Sequence, residues 1–188
     1  MRVKPKRRPD PKGRPTLEVE SDSDYVGCFQ DLFSVGVQLR KGRTVPLLLQ
    51  AAVLNLRLGN HGAARFEAQN ALKLNAACVE AHWLRALACL GLTLERLGLI
   101  DAGPGAIADD DPKLPAEETL EEAHASFTQC ARLTNWQDQE AVDYMEFLST
   151  LLAARLTGAA LARALRPLLD RPTTSTSRRL EPGRSHGR

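Results

Sequence analysis

The chain has 188 residues, 43% hydrophobic but only 5% aromatic, with a net charge of +2. That suffices for one compact domain or a short helical array with tails, and no uninterrupted apolar run approaches the ~20 residues that cross a bilayer. The charge is uneven: residues 1–15 carry seven basic residues against Asp10, residues 171–188 carry five Arg against Glu181, and the body between is acidic, which argues against a nucleic-acid binder whose folded part is itself basic.

Residues 1–20 combine Pro and Lys/Arg with almost no apolar side chains. Such a segment cannot offset the entropy of ordering, so a disordered basic tail is expected. No apolar stretch follows the basic residues, so it does not read as a secretory signal. Lys4, Lys6, Arg7 and Arg8 form a compact run of the nuclear-import or nucleic-acid-tether type. Ser21 and Asp22 are good helix caps. Asp24 to Arg40 then spaces Tyr25, Cys28, Phe29, Leu32, Phe33, Val35 and Leu39 helically. The apolar set is broad, so this helix is expected to be buried on most of its surface, with Gly42 as a left-handed cap.

Pro46 suits a first helical turn, and Leu47 to Leu58 follows as an apolar helix broken by Gly59-Asn60. His61 to Leu74 and Val79 to Leu97 read as further helices, separated by Asn75. Residues 98–116 hold three Gly, three Pro and Asp109, Asp110 and Asp111, the composition of an acidic loop. Helical patterns resume at Thr119 to Leu133 and Asp138 to Leu156, the latter closed by Thr157-Gly158. A capping helix is expected within 157–170, and 171–188 reads as a second disordered basic tail. No segment alternates with period two, so the fold class is all-α.

The internal period organises these helices. Val45 and Val79 lie thirty-four residues apart, and each starts an apolar helix with Ala at one offset, Ala52 and Ala86. Ala64, Ala68 and Ala71 on the following helix match Ala123, Phe127 and Cys130 after the acidic loop. In these residues the chain resembles the tetratricopeptide repeat family over residues 45–97 and 118–150, and most of all the central repeats of immunophilin-type co-chaperones. Leu48 and His82 stand at the family's aromatic position, Asn55 and Cys89 at its Tyr, and Ala76 at its Pro. The resemblance implies a short right-handed solenoid of antiparallel helix hairpins over residues 21–156, starting mid-hairpin and so leaving an apolar face to be covered.

It also implies a protein-binding groove on the inner helices, lined by Leu49, Gln50, Val53, Arg57, Glu80, Trp83, Leu84 and Leu87, with Trp83 as anchor. The family's carboxylate clamp would place Gln50, Glu80 and Leu84 at its Asn, Lys and Arg positions. An anionic Glu and an apolar Leu cannot grip a carboxylate. The function expected is a non-catalytic adaptor for a peptide or helix of another protein; the alternatives are a co-chaperone with a degenerate clamp and a nucleic-acid-associated protein acting through its tails.

No nucleophile motif or catalytic set is present, and no cofactor is expected. Cys78, His82 and Cys89 lie near one helix side, yet no second ligand pair follows, so no metal site is assigned. GPG at 103–105 lacks the Gly-Lys-Ser/Thr of a phosphate loop. Four cysteines without CxxC spacing suit a reducing compartment, cytoplasmic or nuclear.

Overall fold

A computed structural model describes residues 22–101, 103 and 115–169, and these are all-helical with no strand. Seven helices follow one another: α1 (Asp22–Lys41), α2 (Val45–Arg57), α3 (His61–Leu74), α4 (Val79–Arg96), α5 (Ala116–Leu133), α6 (Gln139–Ala153) and α7 (Gly158–Leu169). Both basic tails and most of the acidic loop lie outside the described residues.

Local chemistry sets the ends. After α2 the chain turns at Gly59 (φ 71), with Gly59 N–H donating to Leu56 O and Asn60 N–H to Leu54's neighbour Asn55 O at 2.8 Å. The same six-to-one closure ends α4, where Leu99 N–H reaches Leu94 O around Gly98 (φ 65). These are Schellman ends, in which glycine adopts the left-handed backbone without steric cost. Asn135 (φ 51) serves α5 similarly. The Asp138 carboxylate accepts from Ala141 N–H at the start of α6.

Three local expectations need correction. Gly42 does not adopt a positive φ; its N–H continues the α-helical ladder to Gln38 O, and the chain leaves through extended Thr44. Helix α6 stops at Ala153 rather than Leu156, because the turn falls on Arg155 (φ 48). Helix α1 is not buried on most of its surface. Cys28, Leu32, Val35 and Leu39 pack on Ala51 and Leu54 of α2, whereas Val26, Phe29, Phe33 and Val37 remain exposed.

From α1 through α6, consecutive helices pack on one another, and α2 also reaches α4. Alanines make the close approaches: Ala52, Ala64, Ala68, Ala81, Ala86 and Ala123 are fully buried. The largest apolar cluster joins α4, α5, α6 and α7 around Trp83, Phe127 and Leu148, and α7 contributes Leu161 and Leu165 to it. Burying each such Leu stabilises by roughly 1.5–3 kcal/mol relative to leaving it exposed. Smaller clusters bind α2 to α3 and α4 through Leu48, Ala71, Cys78 and Ala81, and through Ala52, Ala68 and Leu84.

Gly103 ties the start of the acidic loop to the turn between α2 and α3. Its N–H donates to Gly59 O at 3.2 Å, and a Cβ there would lie 2.0 Å from Leu58 O. The first glycine of GPG therefore serves a backbone approach.

Candidate protein-binding groove

The residues expected to line a groove divide by exposure. On α2, Gln50 and Arg57 are exposed, while Leu49 and Val53 are half-buried against Ala52, Ala68 and Leu84. On α4, Glu80 is exposed and Leu87 is half-buried against the main core. Positions 49, 50, 53 and 57 share one side of α2 by helical spacing. Together these positions offer aliphatic edges, an amide, one cation and one anion.

Trp83 and Leu84 do not belong to such a surface. Trp83 is 2% exposed and Leu84 3%. The Trp83 ring meets Phe127 of α5 edge-on at 5.3 Å and Tyr144 of α6 at 6.0 Å, and Phe127 stacks on Tyr144 at 4.7 Å. The expected anchor is thus a core residue, because α5 and α6 cover its side of α4 and three aromatic rings gain more by packing together than by facing water. Leu84 fills the space that Ala52 and Ala68 leave open. A side chain so placed cannot contact a ligand carboxylate, and Glu80 sits with Cys78, whose thiol donates to its Oε2 at 3.5 Å.

The cysteines and histidines of the same region have structural partners. His82 Nε2 pairs with Ala76 O at 3.0 Å, and Cys130 Sγ donates to Val79 O at 3.6 Å. Burial, with the Glu122 carboxylate nearby, pushes the Cys89 thiol up to about 12. Burial likewise raises Cys78. Neither is a reactive thiolate near neutral pH. Among the described residues, no three His, Cys, Asp or Glu gather as a metal site, and no helix is long and apolar enough to cross a membrane.

Sequence reasoning missed two polar joints. Glu122 of α5 pairs with Arg65 of α3 at 2.8 Å and with Arg85 of α4. Burial disfavours its charge, but the two guanidinium groups outweigh that and hold the carboxyl below its ordinary range. His61 Nδ1 meets Glu95 Oε1 at 2.5 Å, and its ring lies over Gly91, where a Cβ would come within 2.2 Å of it. Partners thirty-four and thirty-seven residues apart leave no local pattern to read.

The apolar face expected to need covering at the start of the array lies on α1. Phe33 is 78% exposed and Val26 54%, with Phe29 and Val37 at 40% each. The signal was present in the sequence as an apolar arc too wide for one neighbour. Lys4, Lys6, Arg7 and Arg8 lie outside the described residues. No family model, curated protein or solved structure matches this chain.

Proposed function

We propose that this chain is a non-catalytic interaction module: a short right-handed solenoid of tetratricopeptide-like hairpins that docks an amphipathic helix of another protein on α1 and holds extended peptide beside Leu49, Gln50, Val53, Arg57, Glu80 and Leu87. The observation that carries the reading is the exposed stripe Val26, Phe29, Phe33 and Val37. Its helical spacing runs along about 17 Å of α1, and contiguous apolar surface of this kind marks interaction sites. Helices α2 to α5 each have packed neighbours before and after them, whereas α1 has α2 alone among the helices that contact it closely. A partner helix laid along this stripe would cover its apolar side chains. The segments 1–21, 104–114 and 170–188 offer few apolar side chains to fill that place.

Four free cysteines, three of them buried, support a cytoplasmic or nuclear setting. A carboxylate-clamp co-chaperone is disfavoured by the buried Leu84. Binding of nucleic acid through the tails would add to this reading and falls outside the described residues.

The test compares proximity-labelled partners of wild type, Phe33→Asp and Leu49→Asp, followed by direct titration with the purified partner. We expect Phe33→Asp to abolish binding of the principal partner while far-UV circular dichroism stays unchanged. Partner profiles and affinities identical in all three forms would remove both surfaces from the proposal. Loss of a self-dimer in Phe33→Asp with every other partner kept would make a second copy the occupant in place of another protein.

A further inference from the structure

The exposed stripe of α1 reads nearly the same from either end. Val26 and Val37 stand equally far from the centre of the helix, and Phe29 and Phe33 flank that centre. The charges do the opposite. The first half of α1 carries Asp22, Asp24 and Asp31 without a Lys or Arg, and the last turn carries Arg40 and Lys41 with no acid after Asp31. Asp22 stands four residues before Val26 and Arg40 three after Val37, so both continue the three-and-four spacing of the stripe. Turned end for end, this helix matches its own apolar positions and sets acid against base.

We infer that, in the protein on its own, the α1 stripe is covered by α1 of a second copy, the two helices running antiparallel about a two-fold axis near their centres. A two-fold contact is self-complementary, so each opposed pair occurs twice. Val26 then meets Val37 of the other copy, Phe29 meets Phe33, and the position of Asp22 lies opposite that of Arg40. Parallel pairing would instead bring like charges together at both ends, which is repulsive.

The rest of α1 fits this arrangement. Its contact with α2 uses another side of the helix, through Cys28, Leu32, Val35 and Leu39. Gly36 lies seven residues on from Phe29, on the same face, and a Cβ there would meet nothing within 4 Å, so an aromatic ring of the second copy has open space against the backbone. Gln30, Ser34 and Gln38 are exposed along one edge of the stripe and supply the polar rim usual around an apolar contact. The inference rests on the proposed reading of α1 as a docking face and adds the state of that face before a partner arrives. A single helix pair is small beside the interfaces of permanent dimers, so its dissociation constant is on the order of micromolar. A partner helix on the same stripe must displace the second copy.

The experiment is sedimentation velocity on the full chain across a micromolar concentration series, at low and high salt. Wild type should pass reversibly from monomer to dimer. Phe33→Asp, at a position 78% exposed, should stay monomeric with an unchanged far-UV circular dichroism spectrum. Asp22→Arg and Arg40→Asp should each dimerise about tenfold more weakly at low salt, because each sets like charges together at both ends of the pair. An equimolar mixture of these two variants should recover the dimer, since every opposed pair is again acid against base, and added salt should narrow the difference. A wild type monomeric throughout the series, a dimer undiminished by Phe33→Asp, or a mixture no tighter than its components would each overturn the inference. A monomeric wild type whose Phe33→Asp variant still loses a labelled partner would sink the self-pairing alone and leave the proposed function standing. A dimer lost in Phe33→Asp with no partner lost would support the self-pairing and remove the partner helix from α1. If Phe33→Asp fails to fold, the mixture of charge variants decides.

Discussion

Trp83 shows how burial decides the meaning of a residue. By type and helical position it suits a ligand anchor; in the fold it completes a three-ring cluster with Phe127 and Tyr144. Trp83→Ala should therefore act on stability first, costing about 3–5 kcal/mol as a large core side chain is lost. Urea unfolding would show this as a lower midpoint, and a midpoint near that of wild type would contradict the core assignment. The cysteines give a second check at the same scale. Cys28 is half-buried, whereas Cys89 and Cys130 are fully buried and Cys89 is held as a thiol up to about 12. Maleimide labelling of native protein at mildly alkaline pH should modify Cys28 first and spare Cys89 and Cys130 until denaturant is added. Peptide mapping showing early modification of Cys89 would be inconsistent with the packing of α4.

Between elements, the joints rest on small residues and a few polar pairs. Gly91 on α4 admits the His61 ring from the start of α3 and so allows its contact with Glu95. Gly91→Ala must displace that ring, because the added Cβ would lie 2.2 Å from its Cδ2. We expect a loss of about 1–3 kcal/mol from overpacking, read as a melting temperature several degrees lower. Adding His61→Ala should recover part of it, since the clash then disappears; no recovery would place the strain elsewhere. Helix positions were legible because Gly59, Gly98, Asn135 and the long apolar periods are local signals. That the array leaves an apolar face uncovered at its start was legible as well; which side chains of α1 form it was not. An apolar arc reports how much surface a helix can bury, and only the number of neighbours reports how much it does bury.

For the whole molecule, acid stability depends on groups that join several helices. Glu122 links α3, α4 and α5 and is held below its ordinary value of 4.5, burial being outweighed by Arg85 and Arg65. A carboxyl depressed on folding stabilises fully above its unfolded value, and that contribution is lost as pH falls through the folded one. His124, lowered by burial from its ordinary 6.5, also favours unfolding on acidification, beginning at higher pH. Stability should thus decline in two stages, the first below 6.5 and the second below 4.5. Glu122→Gln should flatten the second stage and leave the first. Chemical denaturation across pH checks this, and an unchanged acid limb in the variant would exclude Glu122 as its source.

The sequence by itself determined the helical class, the order of seven helices and the alanine-sized contacts, since periodicity, turn glycines and small residues at fixed offsets act within a few residues of the chain. Tertiary structure alone decided which apolar side chains are walls and which are surface. It sent Trp83 and Leu84 inward, left Phe33 outward, and brought Glu122 to Arg65 and Arg85 across more than thirty residues of chain. Burial depends on what neighbouring elements cover, and charge clustering depends on which distant turns meet; neither is a property of local pattern.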